Sequence, residues 1–96
     1  MEISKSRIEV AFEGLVSLDA KCWKMAREAA DIGDDACREE MEQKTKALFA
    51  MLDASHRMLE DLLGVRFEIG FGKCFRKDYV EIWTEKDGLN TSALEV

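Results

Sequence analysis

The stretch DDACREEMEQKTKALFAMLDASHRMLEDLLG, from Asp34 to Gly64, decides the fold of this 96-residue chain. Its small and apolar side chains recur at steps of three and four residues, which places them on one face of a helix. Asp34 and Asp35 suit a helix cap and first turn, and Gly64 suits the left-handed residue that ends a helix. The stretch therefore predicts one long amphipathic helix. The positions on its apolar stripe are Cys37, Met41, Leu48, Met51, Leu52, Ser55, Leu59 and Leu62.

Residues 4–31 form a second helical pattern, in which a broad apolar face opposes a charged one at 100° per residue. The apolar face comprises Ile8, Ala11, Phe12, Leu15, Leu18, Cys22, Trp23, Ala26, Ala29 and Ala30. A competing interpretation is a short strand over residues 7–14, because Ile8, Val10 and Phe12 also recur at strand spacing and Gly14 would end it. We favour the long helix, with Gly14 as the place where a kink or the strand would enter.

The segment DIGDD, residues 31–35, separates the two helical patterns and contains Gly33, which tolerates positive φ. It predicts a short turn and an antiparallel helical hairpin. A hairpin centred between Ile32 and Gly33 places Asp19 opposite residues 44–46, where Lys44 and Thr45 interrupt the second apolar stripe. We therefore expect a structural polar pair between Asp19 and Lys44 that fixes the register of the helices.

The spacing changes after Gly64. Alternating apolar side chains from Val65 to Phe71 predict one strand with a buried face, and the run YVEIWT, from Tyr79 to Thr84, predicts a second. The two strands would turn around residues 76–78 to form a two-stranded antiparallel β-hairpin. Such a hairpin is marginal alone, so it must pack on the helices or on another chain.

This β-hairpin is the most suggestive surface of the sequence, because aromatic and basic side chains alternate along it. The predicted interaction surface comprises Phe71, Lys73, Phe75, Arg76, Lys77, Tyr79 and Trp83. The mixture is typical of surfaces that stack on bases and contact phosphates. Packing in the core or against a protein partner is the alternative that we favour.

The net charge of −6 also disfavours nucleic acid. Residues 1–64 carry the acidic excess, whereas clustered positive charge is needed to displace counterions from a duplex. Three cysteines without CxxC spacing indicate neither a disulfide framework nor a zinc site, and we expect buried free thiols and no cofactor. His56, the single histidine, is expected to serve as a structural hydrogen-bonding group. Neither a signal peptide nor an apolar run of about 18 residues is present, which predicts a cytoplasmic protein without a membrane segment.

These patterns predict an α+β fold: a long antiparallel helical hairpin, then a C-terminal two-stranded β-hairpin, in one domain over residues 1–88. Residues 89–96 are expected to form a flexible polar tail. Helices of this length expose more apolar surface than one small hairpin covers, so we expect a homo-oligomer, with a dimeric helical bundle favoured. The predicted function is that of a small non-enzymatic interaction or regulatory module that binds itself and a protein partner. The alternative is an acidic inhibitor, of the type found in phages and mobile elements, that blocks the basic groove of a nucleic-acid-processing enzyme.

Overall fold

The computed structural model describes residues 4–95 and has an α+β architecture. Two long helices, α1 (Lys5–Ala30) and α2 (Asp35–Leu63), form a hairpin and are followed by a small antiparallel sheet. The predicted helical hairpin and the α+β class are confirmed. The remaining elements are β1 (Phe67–Gly70), β2 (Lys73–Arg76), β3 (Glu81–Thr84), β4 (Gly88–Leu89) and the helical turn α3 (Thr91–Leu94).

The ends of α2 are set by the residues that the sequence indicated. The Asp34 carboxylate accepts a hydrogen bond from the backbone N–H of Ala36 at 3.1 Å, which caps the helix. Gly64 ends it in the left-handed conformation with φ of 67°, and its N–H donates to the carbonyl of Glu60 at 2.8 Å. At the other helix, the strand interpretation of residues 7–14 is wrong, because these residues lie within α1 and Gly14 adjoins open space.

The sheet has four strands in the order β1-β2-β3-β4, all antiparallel, instead of the two that were predicted. The predicted first strand ends early because the chain reverses at Phe71 and Gly72, whose φ angles are 52° and 74°. Two successive positive φ angles are the signature of the tight turn that matches the twist of a β-hairpin. The predicted turn at residues 76–78 becomes the end of β2 and the loop before β3.

Residues 89–95, which composition alone predicts to be a flexible tail, pack onto the sheet. Leu89 pairs with Trp83 in β4, and both Leu89 and Ala93 are buried. The Arg76 guanidinium donates hydrogen bonds to the carbonyl oxygens of Ala93 and Glu95 at 3.1 and 2.9 Å. This arginine therefore holds the end of the described chain against β2.

Helix α1 is the central element of the fold, because it packs against α2 on one side and against β1, β2 and β4 on the other. The rings of Phe12 and Phe67 meet edge-to-face with centroids 5.0 Å apart, and both side chains are completely buried. Helix α2 contributes little to this core, with only Thr45 and Leu59 buried. The fold is elongated as a result, with principal extents of 49 × 26 × 23 Å.

The register of the helical hairpin differs from the prediction. Trp23 packs edge-to-face on Phe49, with centroids 5.3 Å apart, whereas the predicted register would place residue 42 there. The residue of α2 that lies opposite Trp23 is therefore displaced from the predicted one by about two helical turns. Residues 34–37 are all exposed, so the first turn of α2 extends past the end of α1. The connection between the two helices therefore extends further along the helix axis than the tight turn predicted at Gly33.

Candidate interaction surfaces

The basic side chains of the predicted interaction surface are all engaged within the sheet. Lys73 pairs with Glu81 at 3.3 Å, and Lys77 pairs with Glu68 at 3.1 Å. Arg76 forms an ion pair with Asp78, whose pKa is held below its usual range chiefly by hydrogen bonding from that guanidinium. Phosphate binding at this surface would have to compete with three carboxylates.

The aromatic side chains of the same surface do not share one face. Trp83 is buried in the core and Phe75 is half-buried with the Lys73 ammonium 5.9 Å from its ring centroid. Phe71 and Tyr79 are exposed, but they occupy the turns at opposite ends of β2. The four aromatic side chains therefore do not form one continuous surface: one is buried, one is half-buried and two are exposed at separate turns.

Asp19 and Lys44 form no ion pair in the described part of the chain. Lys44 lies on the exposed surface of α2, with its Nζ 3.5 Å from the carboxylate of Glu40. Asp19 instead faces the β1–β2 turn, where it lines a cleft with Gly70 and Phe71. The offset between the helices explains the error, because it moves Lys44 about two turns away from the level of Asp19.

Within residues 4–95, the single histidine forms no hydrogen bond with a cysteine thiol. His56 is engaged with the backbone of Phe67, its Nε2 lying 2.7 Å from the carbonyl oxygen. Burial, together with the nearby Asp19 carboxylate, raises the pKa of the Cys74 thiol to about 12. A thiol in that environment stays protonated at neutral pH and is a poor nucleophile. His56 thus forms a hydrogen bond within the fold, as the sequence indicated.

The first candidate surface is a groove between α1 and α2, which we call the α1–α2 groove. Its volume is about 410 Å³. It is lined by Ala11, Gly14, Leu15, Leu18, Ser55, Met58, Leu59 and Leu62. None of these side chains is charged, and two of them, Leu15 and Leu59, also belong to the buried core. The groove is thus a continuous apolar surface that the chain itself leaves open.

The α1–α2 groove combines large exposed side chains with small ones. Met58 and Leu62 project from α2 with 71% and 60% of their surface exposed, although both are apolar. Beside them, Ala11 and Gly14 on α1 form a low floor, and no atom lies within 4 Å of the position that a Cβ of Gly14 would occupy. A ridge next to a depression is the shape that allows two surfaces to interdigitate.

The second candidate surface is a cleft of about 440 Å³ between α1 and the β1–β2 turn, which we call the Trp23 cleft. Asp19, Trp23 and Arg27 line it from α1 at four-residue spacing, so they lie on one helix face. Ile69, Gly70 and Phe71 line it from the sheet. The cleft combines a carboxylate, a guanidinium and two aromatic rings.

Sequence reasoning missed the Trp23 cleft because its two walls lie about 50 residues apart in the chain. Asp19 was the available signal, since a carboxylate within an otherwise apolar stripe requires a partner. That partner was sought on α2 instead of on the sheet. Phe71 gave no signal, because an aromatic residue at an alternating position is typical of a strand.

No side-chain cluster of three or more His, Cys, Asp or Glu suited to a metal ion is found within residues 4–95. Among the helices in that range, none combines the length and apolar character needed to cross a bilayer. No protein-family model matches the chain, and comparisons with curated proteins and with solved structures gave no significant match.

Proposed function

We propose that this protein is a small non-enzymatic interaction module that self-associates through the α1–α2 groove and binds a protein partner. The observation that supports this proposal is the exposed ridge of Met58 and Leu62 beside the floor of Ala11 and Gly14. Apolar surface of this kind, bordered by charged residues, is characteristic of protein interfaces. Methionine is also common at surfaces that accommodate other side chains, because its thioether chain is flexible.

A second copy of the chain suits the groove because the groove carries both complementary shapes. In a two-fold dimer the same patch serves both subunits, so Met58 of each copy would fill the floor beside Gly14 of the other. Two helical hairpins joined in this way give a four-helix bundle, in which small residues allow close approach of the helices. The sheets would remain on the outer sides, because they pack on a different face of α1.

Light scattering coupled to size-exclusion chromatography tests the proposal. At about 100 μM, a concentration above the Kd of a micromolar dimer, the wild type should have twice the chain mass of 10.9 kDa. Met58→Glu should be monomeric, because burial of an unpaired carboxylate opposes association. Ala50→Glu adds the same charge at an exposed position outside the groove and should remain dimeric. A wild type that is still monomeric at about 100 μM would contradict the proposal.

A second candidate function, the acidic inhibitor, is favoured by the charge at the hairpin end of the helices. Residues 28–42 carry seven acidic side chains and one basic side chain, Arg38. The acidic residues, all exposed, are Glu28, Asp31, Asp34, Asp35, Glu39, Glu40 and Glu42. A compact anionic end of this kind would fit the basic groove of a nucleic-acid-processing enzyme.

Salt dependence separates these two functions. Binding through the acidic end should weaken steeply between about 50 and 150 mM salt, whereas apolar docking in the α1–α2 groove should change little. Glu39→Gln with Glu40→Gln should reduce electrostatic binding of a captured partner but leave the dimer intact. Partner binding that is insensitive both to salt and to this double substitution would exclude the inhibitor function.

A further inference from the structure

The Trp23 cleft contains two residues that oppose folding, Phe71 through its backbone conformation and Asp19 through burial of its carboxylate. Phe71 occupies a left-handed backbone conformation, with φ of 52°, that residues with a Cβ rarely adopt. Its side chain is completely exposed, so no packing within the described chain offsets the strain. Glycine or asparagine is the usual residue at this position of a tight hairpin turn. Stability alone would not select phenylalanine here.

Asp19 is the second unfavourable residue of the cleft. Its carboxylate is half-buried, and no lysine or arginine within residues 4–95 lies within ion-pair distance of it. Burial raises the pKa of Asp19, and a hydrogen bond from the Trp23 side chain to its carboxylate only partly opposes this increase. Desolvation of a carboxylate without a cationic partner is unfavourable unless a ligand supplies the cation.

Both unfavourable residues line the same cleft on either side of an exposed tryptophan. Trp23 follows Asp19 by one helical turn and keeps 54% of its surface accessible although its ring packs on Phe49, and Phe71 lines the same cleft from the β1–β2 turn. Residues with a strained backbone or an unpaired, partly buried charge are concentrated at the binding sites and active sites of proteins. Two aromatic rings and one carboxylate form the arrangement that holds a cationic group by stacking and by charge.

We propose that the Trp23 cleft binds an arginine side chain of a protein partner, with its guanidinium against the Trp23 and Phe71 rings and paired with the Asp19 carboxylate. A guanidinium suits these walls better than an ammonium, because it is planar, weakly hydrated and able to stack while it donates two parallel hydrogen bonds to a carboxylate. A nucleobase would stack equally well but would bring phosphate next to Asp19 and next to a strongly acidic helical hairpin.

Arg27 lies at the far end of the same helix face and does not prevent this binding. Eight residues separate Arg27 from Asp19, which corresponds to about 12 Å along the helix axis. Since the Debye length at physiological salt is about 8 Å, repulsion between Arg27 and a guanidinium at Asp19 is largely screened. An acidic residue close to the bound arginine in the partner's chain would instead lie near Arg27 and be attracted to it. The cleft therefore favours partner segments that carry both basic and acidic residues.

The inference rests on the proposed function in taking the ligand to be part of a protein, but it concerns a different face of α1. At 100° per residue, the centre of the α1 side of the groove and the centre of the cleft differ by about 130°. Met58→Glu should therefore abolish self-association without affecting the cleft. Failure of one proposal is distinguishable from failure of the other.

The test is a titration of ¹⁵N-labelled protein with the blocked tripeptides Gly-Arg-Gly, Gly-Lys-Gly and Gly-Glu-Gly and with the single-stranded oligonucleotide dT8. The arginine peptide should cause saturable shifts of the amides of residues 19, 23 and 70–72, with a Kd in the millimolar range. The lysine peptide should bind more weakly, and the glutamate peptide and dT8 should not shift these signals.

Substitutions identify the groups responsible. Asp19→Asn and Phe71→Gly should each raise the Kd for the arginine peptide at least about fivefold, through loss of the charge pair or of one aromatic wall. Both variants are expected to fold, because each removes an unfavourable feature. Glu13→Gln, which removes an exposed carboxylate elsewhere on α1, should leave the Kd unchanged. Equal binding of the lysine or glutamate peptide, binding of dT8 at these residues, no saturable shift, or an unchanged Kd in Asp19→Asn would overturn the inference.

Discussion

The imidazole of His56 on α2 holds the backbone of Phe67 at the start of β1, with Nε2 2.7 Å from the Phe67 carbonyl oxygen and the two rings 4.5 Å apart. Glu60, one turn further along α2, accepts the Phe67 N–H at 3.0 Å. Since β1 is an edge strand, two side chains of α2 occupy the place of a neighbouring strand. They attach the sheet to the helical hairpin and protect its edge from pairing with another chain.

Loss of this contact should destabilise the fold. We expect His56→Ala to lower the free energy of unfolding by about 1 to 2 kcal/mol, because it leaves a half-buried carbonyl without its donor and removes a ring that packs on Phe67. Chemical denaturation measures the change. Arg57→Ala removes an exposed side chain paired with Asp53 and should change stability by less than about 0.5 kcal/mol. Equal effects of the two substitutions would show that the His56 contact has no special role.

Phe71→Gly should stabilise the protein. Relief of the left-handed conformation favours the variant by about 1 kcal/mol, and little packing is lost because the side chain is exposed. Gly72→Ala, at φ of 74° in the same turn, should have the opposite sign and a similar magnitude. Thermal unfolding of both variants gives the comparison. A lower melting temperature for Phe71→Gly would mean that the ring contributes to stability.

Asp19 gives a prediction about pH. Burial raises its pKa in the folded protein above the ordinary value of 3.8, so the folded state retains the proton more strongly than the unfolded chain does. Protonated Asp19 therefore stabilises the folded state relative to ionised Asp19. This contribution to the free energy of unfolding is fully present below pH 3.8 and is lost as the pH rises through the pKa of Asp19 in the folded protein. Asp19→Asn should therefore raise the melting temperature at pH 7 but not at pH 3. Glu13→Gln is the matched control, and a lower melting temperature of Asp19→Asn at pH 7 would contradict the prediction.

The three cysteines should differ in reactivity. Cys37 is exposed at the start of α2, whereas Cys22 and Cys74 are buried, and burial raises the pKa of both buried thiols. Since the thiolate is the reactive form, iodoacetamide at pH 8 should modify one cysteine in the native protein and three in denaturant. Mass spectrometry identifies the modified residue, and Cys37→Ser should abolish native-state labelling. Modification of Cys74 as fast as Cys37 would show that the core around β2 is open.

Local signals were sufficient to predict the helical hairpin. Asp34 and Gly64 mark the ends of α2 through their own chemistry, and the apolar stripes of both helices repeat over many turns. The register was not predictable in the same way, because it depends on the path of residues 31–34 and on the packing of α1 against the sheet. Those contacts join distant parts of the chain, so no local pattern contains them.

Only part of the sheet was predicted, because two of its turns contain residues that do not indicate a turn. Phe71 and Tyr79 both adopt positive φ, at 52° and 65°, where glycine would have revealed a turn. Leu89, Ala93 and Leu94 are the few apolar residues of a polar segment, and only their tertiary contacts make them part of the core or pack them against it. The Trp23 cleft was missed for a similar reason. In the sequence, Phe71 resembles an ordinary strand residue and Asp19 resembles an interruption of the apolar stripe of a helix.

The proposal that the α1–α2 groove of one chain receives the Met58 ridge of another is tested by an isotope-filtered NOE experiment. In a mixed sample, one chain carries ¹³C-labelled methionine methyl groups and the other is unlabelled. If the two copies meet in this way, the Met58 methyl gives intermolecular NOEs to Ala11 and Gly14 of the unlabelled chain, and the monomeric Met58→Glu variant gives no intermolecular NOE from its remaining methionine methyls. A sample without intermolecular NOEs to those residues, whether monomeric or associated through another surface, would contradict it.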